Sequence, residues 1–164
     1  MPTITPFLWF DDQAEEAVEF YLSVFPNSRI LDVARYSDAG PGPAGSVMTM
    51  RFELDGQVFI ALNGGPDHYN FDESISFSID CPTAEDVDRY WDALLAGGGE
   101  EIACGWLKDR YGLRWQVVPS ELPVLLGDPD PERAGRAAAA MMTMKKLDIR
   151  AIEDAAAGAV TVEP

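Results

Sequence analysis

The 164-residue chain is poor in the side chains that most often mark metal and redox chemistry, with two cysteines and one histidine. Cys81 and Cys104 form no CxxC pair, and no histidine lies near either in sequence. This points away from a zinc site or a disulfide framework and toward two reduced thiols in a cytoplasmic protein. Basic residues are also scarce, 12 against 28 acidic ones, for a net charge of −16. Nucleic acids and anionic membranes both require a basic footprint, so neither is an expected partner. The charge itself implies solubility and says little about a small ligand. No apolar run approaches the roughly 20 residues of a membrane helix. The start, Met1-Pro2-Thr3-Ile4-Thr5-Pro6, has neither the basic nor the apolar segment of a signal peptide. What is present is ordinary for a globular protein: 47% hydrophobic and 24% charged residues, in a length that fits one domain with its own core.

Periodicity then lays out the elements. Ile4 to Phe10 reads as a strand. Asp12 and Glu15 have capping-box spacing, and Ala14, Ala17, Val18, Tyr21, Leu22 and Phe25 form a helical stripe that Pro26 and Asn27 end. Ser28 to Tyr36 reads as a strand, and 38–45, rich in glycine and proline, as a loop that is either a lid or a surface connection. Val47 to Leu54 and Gln57 to Leu62 flank Asp55-Gly56, a strong hairpin signal. A second cycle follows. Ile75 to Asp80 is a strand, and Thr83 caps a helix with Asp86 in the capping-box position. That helix carries the stripe Val87, Tyr90, Trp91, Leu94, Leu95 and stops at Gly97-Gly98-Gly99. Short strands follow around Glu101 to Ala103 and Trp106 to Asp109, and the last runs from Leu113 to Val118. The order strand, helix, strands thus occurs twice, an internal repeat of architecture. From residue 120 the pattern is helical, with Pro131 at a helix start and Asp148 capping a short helix to about Ala157. This tail has no strand partner and is expected to pack on the domain or on another subunit.

Several stretches resemble a known family: Phe7-Leu8-Trp9-Phe10-Asp11-Asp12, Phe20-Tyr21, Ala61-Leu62-Asn63-Gly64-Gly65, the run from Cys104 to Gln116, and Asp128-Pro129-Asp130-Pro131. They are similar to the PhnB-like family, also labelled 3-demethylubiquinone-9 3-methyltransferase, of the vicinal oxygen chelate (glyoxalase/bleomycin-resistance) superfamily. The resemblance implies an α+β fold in which two βαβββ modules make a curved half-barrel sheet with helices outside and a ligand in the concave cleft. It also implies a homodimer. The domain is expected over residues 1–119, with module one about 1–66 and module two about 72–119, followed by a helical extension over 120–164.

Metal-dependent members of that superfamily place ligands on the first and last strand of each module. The corresponding positions here are Pro6, Ala61 (or Asn63), Ser74 and Gln116. Proline and alanine offer no side-chain donor, serine is a poor one, and a single amide does not hold a divalent ion against water. The lone histidine, His68, sits in a loop and reads as satisfied or solvent-facing. No metal and no cofactor is therefore expected. The methyltransferase label implies a glycine-rich turn from a first strand into a helix. The glycine-rich stretches lie elsewhere, at 40–45 and 97–99.

Strand alternation gives a candidate pocket. Ile75, Phe77 and Ile79 share one face of their strand and Ser74, Ser76 and Ser78 the other. Leu113, Trp115 and Val117 likewise oppose Arg114 and Gln116. The polar faces are expected to line the cleft, giving a small-molecule site of Pro6, Leu8, Asn63, Ser74, Ser76, Arg114 and Gln116. Pro6 and Leu8 form its apolar wall, and Arg114 offers donors to an anionic group. Trp9, Trp91 and Trp115 are expected in the core and Trp106 at the cleft mouth. Two functions fit: a metal-independent binding protein for a small molecule, or an enzyme on a small polar or anionic substrate using Arg114 and Gln116 for electrostatic help. No acid–base pair stands out, which favours the first.

Overall fold

Strand and helix periods lay down the same order of elements twice along the chain. The computed structural model describes residues 1–67 and 69–159. They fall into two units, one spanning Met1–Asn70 and the other beginning at Phe71. His68 lies outside the described residues.

The first unit runs β1 (Phe7–Phe10), α1 (Ala14–Val24), β2 (Ser28–Arg35), β3 (Val47–Leu54) and β4 (Gln57–Asn63). Its sheet has the order β1-β4-β3-β2, with β1 parallel to β4 and the other pairs antiparallel. Asp55 and Gly56 both have positive φ, +43° and +88°, the backbone of a two-residue turn whose twist matches its flanking strands. Leu54 accordingly pairs with Gln57. One face of α1, with Ala14, Ala17, Val18 and Tyr21, is buried. So are Leu8, Met50, Phe52, Phe59 and Ala61, which share one face of the sheet. Burying each large apolar side chain contributes about 1.5–3 kcal/mol.

The second unit repeats the plan: β5 (Phe77–Cys81), α2 (Ala84–Leu95), β6 (Glu100–Glu101), β7 (Trp106–Lys108) and β8 (Arg114–Pro119). Its sheet order, β5-β8-β7-β6, is that of the first unit with new numbers, and β5 is again parallel to the last strand. Thr83 Oγ1 accepts the Asp86 N–H at 3.1 Å and donates to Asp86 Oδ2 at 2.8 Å, so Thr83 caps the helix as read from sequence, while the Asp86 carboxylate returns to the Thr83 hydroxyl instead of the backbone N–H of a capping box. Val87, Trp91 and Leu94 face the core. Neither four-stranded sheet closes on itself. The chain is an α+β protein built from two βαβββ modules.

Three helices follow: α3 (Leu122–Leu126), α4 (Pro131–Met141) and α5 (Ile149–Ala157). Asp130 caps α4 ahead of Pro131, and Asp148 caps α5 through the Ala151 N–H. Leu122, Ala137, Leu147, Ile152 and Ala156 make a small core, with Val118 of β8 packed against it. The N–H groups of Cys104 and Gly105 donate to the carbonyls of Met144 and Lys145. The tail therefore packs on the second unit. Met142 is the C-cap residue of α4 and is exposed.

Three local expectations change. Gln13 is the N-cap residue of α1 and makes no side-chain cap bond, so the Asp12–Glu15 box is not used. β5 begins at Phe77 rather than Ile75, because Asp72 Oδ1 accepts both the Ser74 N–H and hydroxyl and turns the chain there. On β1 the parity is reversed: Leu8 is buried and Trp9 is only half-buried. Phe7-Leu8-Trp9-Phe10 is apolar throughout, so alternation has no polar marker to set its phase.

Candidate functional site

Each sheet has one face covered by its helix and one open face. On β8 the alternation is as read from sequence: Leu113, Trp115 and Val117 are buried, and Arg114 and Gln116 point the other way. Pairing extends that open face across the sheet. Ser78 is in register with Gln116, Gln116 with Trp106, Arg114 with Lys108, and Lys108 with Glu100. Register partners share a face. The open face of the second sheet therefore collects Ser78, Gln116 and Trp106 in one row and Arg114, Lys108 and Glu100 in the next.

Hydrogen bonds order this surface. Gln116 Nε2 donates to Ser76 Oγ at 2.9 Å. Arg114 is only 12% exposed, and its Nε and Nη2 donate to the same oxygen of Glu73 at 3.1 and 2.8 Å. Its Nη1 donates to the carbonyls of Phe71 and Gly112. The hydrogen bond from Arg114 is the chief reason that the Glu73 carboxyl titrates below its usual range. Ser74 lies in the preceding turn, where its bonds to Asp72 lower that carboxyl in the same way. Lys108 Nζ meets Glu100 at 2.8 Å.

The first-unit members of the expected pocket are placed differently. Leu8, 6% exposed, pairs with Ala61 on the helix-covered face, so the strand's outward residues are Phe7 and Trp9. Trp9 packs over Gly64, donates from Nε1 to Gly65 O at 3.1 Å and meets Tyr69 edge-on at 5.2 Å. Pro6 precedes β1 and accepts the Ile60 N–H through its carbonyl. Asn63 is committed to α1: its Oδ1 accepts the Ala14 N–H at 2.8 Å, while Nδ2 donates to Glu15 Oε2 at 2.7 Å and to Val47 O at 3.1 Å. It also borders a cavity of about 390 Å³ walled by Asp12, Tyr36, Pro43, Val47 and Gly64.

Sequence reasoning missed Glu73 and Lys108, and placed Ser78 on the cleft face without including it among the site residues. The parity of Trp106-Leu107-Lys108 carried the signal for Lys108, and the serine alternation carried it for Ser78. Nothing local signals Glu73, which lies 41 residues from Arg114.

The metal positions of the superfamily can be tested on the same faces. Ala61 and Asn63 are on the covered face with Leu8 and Phe10. The open-face positions of β4 are Val58, Ile60 and Leu62, which have no donor atoms. On the open face of β5 and β8 the neutral or anionic donors are Ser78, Asp80 and Gln116. Among the described residues no three histidines, cysteines or acids converge in a metal-holding group. Among the described residues, the side chains at these positions do not fit a divalent ion. Also among the described residues, no helix is long and apolar enough to cross a membrane.

Two βαβββ modules of identical strand order, each with an open sheet face, define the architecture of the vicinal oxygen chelate superfamily. Within it, residues 2–118 match the model of the 3-demethylubiquinone-9 3-methyltransferase family, and the chain belongs to that family. Among solved structures, it is 33% identical to a PhnB protein from Bacillus cereus described as a putative 3-demethylubiquinone-9 3-methyltransferase. That match covers 72% of this chain and 99% of the other at a TM-score of 0.65. A protein from Pseudomonas aeruginosa is 20% identical over 73% of this chain and 98% of its own, with a TM-score of 0.60. A fosfomycin resistance protein, FosX, from Listeria monocytogenes, solved with Mn(II) and sulfate, is 18% identical over 71% and 89%, with a TM-score of 0.51. No curated protein matches the chain.

The family description implies S-adenosylmethionine, and the residues do not fit it. β1 enters α1 through Asp11-Asp12-Gln13 and β5 enters α2 through Pro82-Thr83. Neither turn has the glycine that lets a nucleotide approach a helix N-terminus.

Proposed function

We propose that this protein binds a small molecule on the open face of its second sheet, without a resident metal ion. The observation that carries the reading is the cross-strand patch of Ser78, Gln116, Trp106, Arg114 and Lys108, with Gln116 oriented by Ser76. A hydroxyl, an amide, an indole and a guanidinium together offer donors, acceptors and an apolar surface, the mixture that small-molecule sites use. Ser74 stands at the edge of the patch, whereas Leu8 and Asn63 serve the first unit's packing and capping. Metal independence is supported by the donor-free open face of β4.

The reading extends to a cytoplasmic homodimer. The two free thiols, Cys81 and Cys104, are consistent with a reducing compartment. Ile30 and Val33, exposed on the edge strand β2, offer apolar surface to a second copy. Light scattering on the purified protein tests the assembly.

A thermal-shift screen of metabolites, run with and without EDTA, tests the function. Hits are expected to persist in EDTA and to vanish in Ser78→Trp, which fills the patch from an exposed position. Stabilising ligands that Ser78→Trp leaves untouched, or that EDTA abolishes, would sink the reading.

A further inference from the structure

We propose that the ligand of this face carries a doubly charged oxyanion group of the phosphoryl type, held between Arg114 and Lys108, and that Glu73 and Glu100 occupy its place in the free protein. The inference rests on the open-face reading above and names the ligand class.

Its first support is the arrangement of the two cations. In a chain with 12 basic and 28 acidic residues, Arg114 and Lys108 are direct cross-strand partners on the open face. Such neighbours lie about 5 Å apart at Cβ, close enough for both head groups to reach one tetrahedral anion. Two like charges set opposite each other are unfavourable unless anionic charge stands between or beside them. Here that charge comes from the periphery. Glu73 is 59% exposed and Glu100 68% exposed, against 12% for Arg114 and 29% for Lys108. The cations are the more buried and the carboxylates the solvent-facing members of each pair.

The second support is how Arg114 is held. Its Nη1 is anchored by the carbonyls of Phe71 and Gly112, which have no charge to give up. The Nε/Nη2 edge, the fork that matches two oxygens of a phosphate or carboxylate, meets one oxygen of Glu73 only. The guanidinium is thus pre-oriented by backbone, and its recognition edge is filled by a side chain that an incoming oxyanion can replace. A dianion fits better than a single carboxylate, because two cations then share two charges and both displaced glutamates return to water.

The experiment titrates phenyl phosphate and benzoate, which have the same apolar body and different head groups, into the full chain by calorimetry. Wild type, Glu73→Gln, Arg114→Lys and Gln116→Leu are compared. Glu73→Gln is expected to tighten phenyl phosphate about 3–10-fold by removing the internal competitor. A misfolded variant cannot mimic such a gain. Arg114→Lys is expected to weaken it about tenfold by losing the fork, and benzoate is expected to bind more weakly than phenyl phosphate throughout. Unchanged or weaker phenyl phosphate binding in Glu73→Gln, or benzoate binding as tightly, overturns the proposal. If binding ignores Glu73 and Arg114 yet is lost in Gln116→Leu, the open-face reading stands and the oxyanion inference falls. If it ignores all three substitutions, both fall.

Discussion

The indole Nε1–H of Trp115 donates to Oδ2 of Asp109 at 2.9 Å, and both side chains are buried. The other oxygen of Asp109 accepts the backbone N–H groups of Tyr111 and Leu113 at 2.8 and 3.0 Å. One carboxylate thereby shapes the turn between β7 and β8 and anchors the core face of β8, so that Arg114 and Gln116 emerge on the opposite side.

Removing that carboxylate takes away the acceptor of one indole N–H and of two backbone N–H groups. Asp109→Ala is expected to destabilise the fold by about 3–5 kcal/mol, and Trp115→Phe by about 1–3 kcal/mol. Urea unfolding of both variants and of the double mutant checks this. A coupling energy near zero would show that the two side chains do not act as a unit.

Asn63 performs a helix-capping role from 49 residues away in sequence. Asn63→Ala is expected to cost about 1–2 kcal/mol through loss of the Ala14 cap and of the Glu15 contact. Asp12→Ala and Gln13→Ala are expected to change stability by less than about 0.5 kcal/mol, since neither side chain makes a capping hydrogen bond to the helix. Thermal melts of the three variants rank them.

Gly105 joins the second sheet to the helical tail. It has φ +83°, and a Cβ there would stand 2.8 Å from Leu147 Cδ1 and 2.9 Å from the Val117 carbonyl. Gly105→Ala is expected to destabilise by about 2–4 kcal/mol, combining left-handed backbone strain with overpacking. Hydrogen exchange should quicken in α5 before it does in α1.

The two thiols are expected to differ. Burial pushes Cys81 up to about 11 from its ordinary 9.0, and it is fully enclosed, whereas Cys104 is only half-buried. Iodoacetamide at pH 8 should therefore label one site, Cys104, with Cys81 reacting only in denaturant. Because the folded state holds the Cys81 proton more tightly than the unfolded one, its contribution to stability is whole below pH 9 and fades as pH rises toward 11. Cys81→Ala should flatten that part of the stability profile.

Much of the fold was legible along the chain because its determinants are local. Period-3.6 stripes, period-2 alternation, the Asp55-Gly56 turn, the proline at the start of α4 and the caps at Thr83 and Asp148 each involve residues a few positions apart, and the physics of each is complete within one element. The open-face position of Gln116 and Arg114 was legible for the same reason, since β8 alternates cleanly between large apolar and polar side chains. The phase of β1, an all-apolar tetrapeptide, was not. Nor was the commitment of Asn63 to α1, or the capture of Arg114 by Glu73. These depend on which distant strands and turns come to lie side by side, and a hydrogen bond spanning 41 or 49 residues leaves no periodic trace in sequence. Local chemistry thus determined which elements form. Only strand pairing and packing decided which of their polar groups serve the scaffold and which meet a ligand.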